Sequence, residues 1–132
     1  MDLRAIVVGS VVTAAVVVVC WFGRLPAFVY LSVCLGPFVA GFLSRSRESK
    51  AFEGVAAIGA GYLLAIVALA VGHFVLFDAL PLVWRADAAF TTLVLGAGAF
   101  ILFVPVSCVL GAVMAAAGSF IRTQTGGSTV VR

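Results

Sequence analysis

With 132 residues, 64% of them AVILMFWYC and 10% DEKR, and a mean hydropathy of +1.30, the chain lies far outside soluble composition and reads as an integral membrane protein. The same arithmetic excludes a disordered chain, a disulfide-stapled secreted module and a nucleic-acid-binding domain, each of which needs more polar, cysteine or basic residues. The formal charge of +3 comes from eight Lys and Arg against five Asp and Glu, and its placement is more informative than its sum.

A helix needs roughly 20 apolar residues to cross about 30 Å of hydrocarbon. Four uncharged runs meet that need, at about 5–22, 27–43, 55–77 and 88–117. The first, Ala5 to Phe22, is interrupted only by Ser10 and Thr13. Gly23-Arg24-Leu25-Pro26 separates it from the second, Ala27 to Leu43, with Gly23 suited to a tight reversal and Pro26 to the first turn of the next helix. The third, Val55 to Phe77, contains His73 and is bracketed by Glu53 and Asp78. The fourth, Ala88 to Ala117, is longer than a straight crossing requires, so it is expected to tilt, protrude or kink at Pro105, as the second should at Pro37. Asp87 reads as its N-cap.

The expected fold class is therefore all-α: a polytopic membrane protein in which residues 1–121 form one four-transmembrane-helix bundle made of two antiparallel hairpins. Residues 122–132, rich in Thr, Gly and Ser, read as a short disordered cytoplasmic tail. Arg4, Arg45, Arg47, Lys50, Arg122 and Arg132 fall on one side of this path and only Arg24 and Arg85 on the other. That asymmetry places both termini in the cytoplasm. Trp21 and Trp84 then belong to the outer interface, Trp84 within the third loop. A cleaved signal peptide is the competing reading of the first run, but no small-x-small site follows it and Val19 precedes Cys20.

Helices in lipid associate where small residues let backbones approach. Ala57, Gly61, Ala65, Ala68 and Gly72 form such a stripe on the third helix, and Ser107, Gly111, Ala115 and Gly118 another on the fourth. These are the expected packing positions, and leucine at Gly61 or Gly111 is expected to disrupt assembly. Setting Gly36 on Gly111 also aligns Ser32, Leu35, Ala40 and Ser44 with Ser107, Leu110, Ala115 and Ser119, the pattern of a duplicated hairpin.

Chemistry-bearing residues are sparse. His73 is the ionisable group inside a run and, with Asp78, Thr91 and Thr92, marks a possible permeation or proton site. A histidine this near the interface is also satisfied simply by water, headgroups or Asp78. Glu53 suits a helix N-terminus, with Lys50 three residues back. Cys20, Cys34 and Cys108 share no CxxC spacing and read as small apolar residues. One histidine supplies no metal site, and no phosphate loop, triad or carboxylate pair is present, so neither a cofactor nor an enzyme is expected. Arg45, Arg47 and Lys50 in the middle loop offer a contact for anionic lipid or an acidic partner.

The run Gly36-Pro-Phe-Val-Ala-Gly41-Phe-Leu, a short polar loop, Glu53-Gly54, and Gly59-Ala-Gly61-Tyr-Leu-Leu resembles the small four-helix integral membrane proteins of unknown function of haloarchaea, over about Leu35 to Leu64. The resemblance implies a plasma-membrane four-helix protein and brings no catalytic residues. Two functions are expected of such a chain. One is a non-catalytic membrane protein acting by helix-helix association, as a homo-oligomer or an accessory subunit of a larger membrane protein. The other is a small oligomeric channel or transporter for an ion or small molecule; the first-helix glutamate of small multidrug transporters has no counterpart here, and Thr91 and Thr92 match the polar track of fluoride channels only faintly.

Overall fold

A computed structural model describes residues 2–44 and 50–125. They are all-helical, with α1 at Leu3–Phe22, a 3-10 turn at Pro26–Val29, α2 at Tyr30–Leu43, α3 at Lys50–Leu76 and α4 at Leu82–Thr125. Arg45 and Arg47 lie outside the described residues, as do residues 126–132 of the expected tail. Four helical stretches are long and apolar enough to cross a membrane: Leu3–Phe22, Ala51–Leu76, Leu82–Phe103 and Pro105–Gln124. The last two are successive parts of α4, while α2 has 14 residues and follows directly on the four of the 3-10 turn.

Local chemistry sets these boundaries. Asp2, in extended conformation, accepts a hydrogen bond from the Arg4 backbone N–H and so caps α1 two residues earlier than the apolar run begins. At the other end of α1 the amide of Arg24 bonds to the carbonyl of Trp21 and that of Leu25 to the carbonyl of Cys20. This is a Schellman closure, whose left-handed residue is Arg24 at φ 55. Gly23, expected to make the reversal, has φ −74. Pro26 does open the next helical turn, as its ring geometry favours.

The largest departure from expectation is α4. It starts at Leu82 and runs 44 residues, continuous through Pro105, or about 66 Å. Asp87 is therefore not an N-cap but an exposed residue in the second turn, and Trp84 and Arg85 lie in the helix instead of a loop. Residues 122–125 are likewise helical, not tail. Leu80, Pro81, Leu82 and Val83 carry no charge to distinguish loop from helix, which is why Asp87 alone suggested the boundary.

Around the bundle the neighbours run α1, α2, α4, α3 and back to α1, with α2 and α3 also touching across the middle; α1 and α4 do not meet among the described residues. The helices approach most closely through glycine. A Cβ on Gly36 would collide with Thr13 Oγ1, on Gly41 with the backbone of Ala115, and on Gly118 with the carbonyl of Phe38. On Gly9 it would lie 2.8 Å from Ala40 and 2.9 Å from Ala57. Ala5, Ala40, Ala57, Ile58 and Ala115 fill the space between, and Val17, Ala65 and Leu69 pack together further along, beside Tyr62. This half of the bundle is solid, with backbone against backbone.

The hydroxyls inside it are mostly satisfied on their own helix. Ser10 donates to the carbonyl of Ile6 at 2.8 Å, and Thr13 to that of Gly9 at 2.9 Å, the usual solution in a medium without water. Ser32 donates to the Val29 carbonyl at 2.6 Å and stands 3.2 Å from the Tyr62 hydroxyl, a polar contact between α2 and α3.

Candidate functional site

Polar side chains gather at the two ends of α3. At its start, Glu53 is fully buried, and its Oε1 accepts the backbone N–H of Asp2 at 2.6 Å. The carboxylate thus lies between the N-termini of two helices, α1 and its own α3, where both dipoles favour negative charge. The sequence pointed to the α3 dipole; the burial accompanies the close packing of the neighbouring Gly54 against Gly111 and Ala115 of α4. Arg122 near the end of α4 donates from Nη1 to the carbonyls of Leu43 and Ser44. It caps the C-terminus of α2, where unpaired carbonyls attract a cation. Sequence reasoning assigned Arg122 to the tail and missed this role.

At the other end of α3, His73 is half-buried and joins three helices. Trp21 of α1 donates its indole N–H to Nε2 at 3.3 Å. The Nδ1 atom is 2.8 Å from the Thr92 hydroxyl of α4, and that hydroxyl donates to the Ala88 carbonyl at 2.8 Å. The ring stacks on Phe77, with centroids 5.7 Å apart and 12° between planes, and meets Phe22 edge-on at 5.9 Å. Arg85 of α4 donates to the carbonyl of Phe74 at 2.7 Å and lies 4.6 Å above its ring. Of the residues proposed for a permeation or proton site, His73 and Thr92 are brought together. Thr91 is exposed beside them, and Asp78 is exposed in the turn after α3. Trp21 was read as an interface anchor only, although it shares its depth with His73, and that shared depth was the available signal.

The packing residues lie where helices meet. Gly61 faces Thr13 and Ser10, and a Cβ on Gly111 would lie 2.5 Å from Ile58 and 3.4 Å from the carbonyl of Gly54. Gly72 faces the ring of Phe22, Ala57, Ala65 and Ala115 are completely buried, and Ser107 is buried. Ala68 of the same stripe is exposed. These contacts lie within one chain, where Gly61 and Gly111 let the helices of the bundle approach each other.

A small apolar cleft of about 80 Å³ opens between α3 and α4, lined by Tyr62, Ala99, Phe100, Phe103 and Ser107. Beyond it, Leu82–Phe103 has no buried residue. Its contacts through Gly96 to Ile66, Thr92 to His73 and Arg85 to Phe74 are all with α3. Cys20 is buried, Cys34 and Cys108 half-buried, and all three are free. No three His, Cys, Asp or Glu side chains among the described residues converge on a metal-sized site. No family model matches this chain, and no curated protein and no solved structure matches it.

Proposed function

We propose that the chain is a non-catalytic, multi-pass protein of the cell membrane that works by helix-helix association, with a second copy of itself or a larger membrane protein. The observation that carries this reading is the outer part of α4. The 22-residue, predominantly apolar stretch Leu82–Phe103 rests on α3 along one line and presents the rest of its circumference bare. Within that stretch Gly96-Ala97-Gly98-Ala99 is a run of small residues, and a Cβ on Gly98 would meet nothing within 4 Å. Small residues on an open helix face are what close helix association in lipid requires.

In the same reading α1 with α2 and α3 with α4 form two antiparallel hairpins, and both termini are cytoplasmic. The contacts of Gly9 with Gly36 and Ala40, and of Gly54 with Gly111, support the pairing. The basic residues Arg4, Arg45, Arg47, Lys50 and Arg122 support the orientation. The middle-loop cations then lie at the cytoplasmic headgroups, suited to anionic lipid or an acidic partner. Permeation is the weaker reading, because the protomer interior near Gly36, Gly41 and Ile58 is filled and a pathway would have to form between protomers.

The test is the mass of the particle purified in mild detergent, with and without Gly98→Leu. An oligomer or a stoichiometric partner is expected for the native chain. Gly98→Leu should lower the association at least tenfold while leaving helicity and thermal stability of the protomer unchanged. A monomer with nothing bound, or an association indifferent to Gly98→Leu, removes the basis of the reading.

A further inference from the structure

We propose that His73 is a pH-operated clasp, which holds the Trp21 indole at the end of α1 to α3 and α4 while its imidazole is neutral and lets that indole go when the imidazole is protonated. The hydrogen positions follow from the partners. An indole N–H is a donor only, so the Nε2 that receives Trp21 must be bare. The proton of the neutral ring is therefore on Nδ1, where it donates to the Thr92 oxygen. The Thr92 hydroxyl keeps its own hydrogen for the Ala88 carbonyl. Each group in the chain from Trp21 to Ala88 has one role, and only the Nδ1–H tautomer satisfies all of them. That tautomer is the less populated one for histidine free in water.

A second proton has one place to go, Nε2, and there it confronts the N–H of Trp21. Two donors cannot share a hydrogen bond, so the Trp21 link is lost while Thr92 still accepts from Nδ1. The consequence is specific to this topology, because α1 and α4 do not otherwise meet among the described residues. His73 is a polar bridge between them at this end of the bundle. The charged residues that the neighbouring elements carry toward this end are Arg85 on α4, held on Phe74, exposed Asp87 on the same helix, exposed Asp78 beyond the end of α3, and exposed Arg24 in the turn after α1. The groups that α1 and the turn after α3 present to the ring, Trp21, Phe22 and Phe77, are aromatic and carry no ionisable group. Protonation of the imidazole is therefore the one event that rewires this contact.

The chain has a single histidine and two tryptophans, so nuclear magnetic resonance reads both partners directly. In the Trp84→Phe protein, which alters an exposed side chain, the imidazole nitrogens at neutral pH are expected to report the Nδ1–H tautomer. As the pH is lowered, the ring nitrogens and the Trp21 indole N–H should shift together with one midpoint. The Trp21 step should vanish in His73→Gln, whose amide oxygen accepts from Trp21 at every pH. An Nε2–H tautomer at neutral pH, an indole resonance that stays still while the imidazole takes up its second proton, an imidazole that takes up none while the protein stays folded, or a Trp21 step that survives in His73→Gln would each overturn the proposal. The first three readouts need no histidine variant, so the result does not depend on that variant folding, nor on the oligomeric state.

Discussion

Gly41 and Gly98 are the same residue type in two apolar helices, yet their surroundings are opposite. A Cβ on Gly41 would enter the backbone of Ala115, which cannot rotate aside, whereas one on Gly98 would meet open space. Gly41→Ala should therefore destabilise the protomer by about 1–3 kcal/mol through forced separation of α2 from α4. Gly98→Ala should be neutral or add up to about 1 kcal/mol by lowering the backbone freedom of the unfolded chain. Reversible unfolding in mixed micelles measures both, and equal effects of the two changes would contradict the packing described. Arg24 is the converse case, a side chain in the left-handed region that glycine occupies freely. Arg24→Gly is expected to raise stability by about 1 kcal/mol in the same assay, and a loss would mean that the Arg24 side chain contributes more than its backbone costs.

At the scale of elements, the helices differ in what holds their ends. α1 carries its own cap in Asp2, and its far end closes on backbone bonds alone. The end of α2 depends on another helix, since Arg122 of α4 supplies the donor for the Leu43 and Ser44 carbonyls. Arg122→Ala is expected to cost about 1 kcal/mol and to fray α2, seen as faster hydrogen exchange at the amides that precede Ser44. Exchange unchanged there would show that the α2 terminus holds without it. α4 had a readable apolar span but an unreadable start. The residues from Leu80 to Trp84 suit either loop or helix, and only the contacts of Arg85 and Thr92 with α3 fix them in the helix. Those contacts carry α4 past the level of His73 by roughly ten residues, about 15 Å.

For the whole molecule, the proposed orientation makes a direct prediction. In a background with Cys20, Cys34 and Cys108 replaced by alanine, Asp78→Cys should react with an impermeant maleimide from outside intact cells, and Gln124→Cys only after permeabilisation. Both positions are exposed, so burial does not interfere. The reverse pattern would invert the protein in the membrane and move His73 to the cytoplasmic side.

The all-helical, membrane-spanning character was legible in the sequence because it depends on composition and run length, which the bilayer reads one segment at a time. The positions of Gly61, Gly111 and Ala115 on small-residue stripes were legible for the same reason, since helical spacing puts them on one face without knowledge of the partner. What each face meets was not. Whether a glycine touches Thr13, Ile58 or open space, whether Glu53 is solvated or sealed against Asp2, and whether Trp21 anchors the chain or hydrogen-bonds to His73 all depend on which helices become neighbours. In a background rich in alanine, valine and glycine many pairings look alike from one segment. Only the tertiary structure, by putting particular backbones in contact, decides among them.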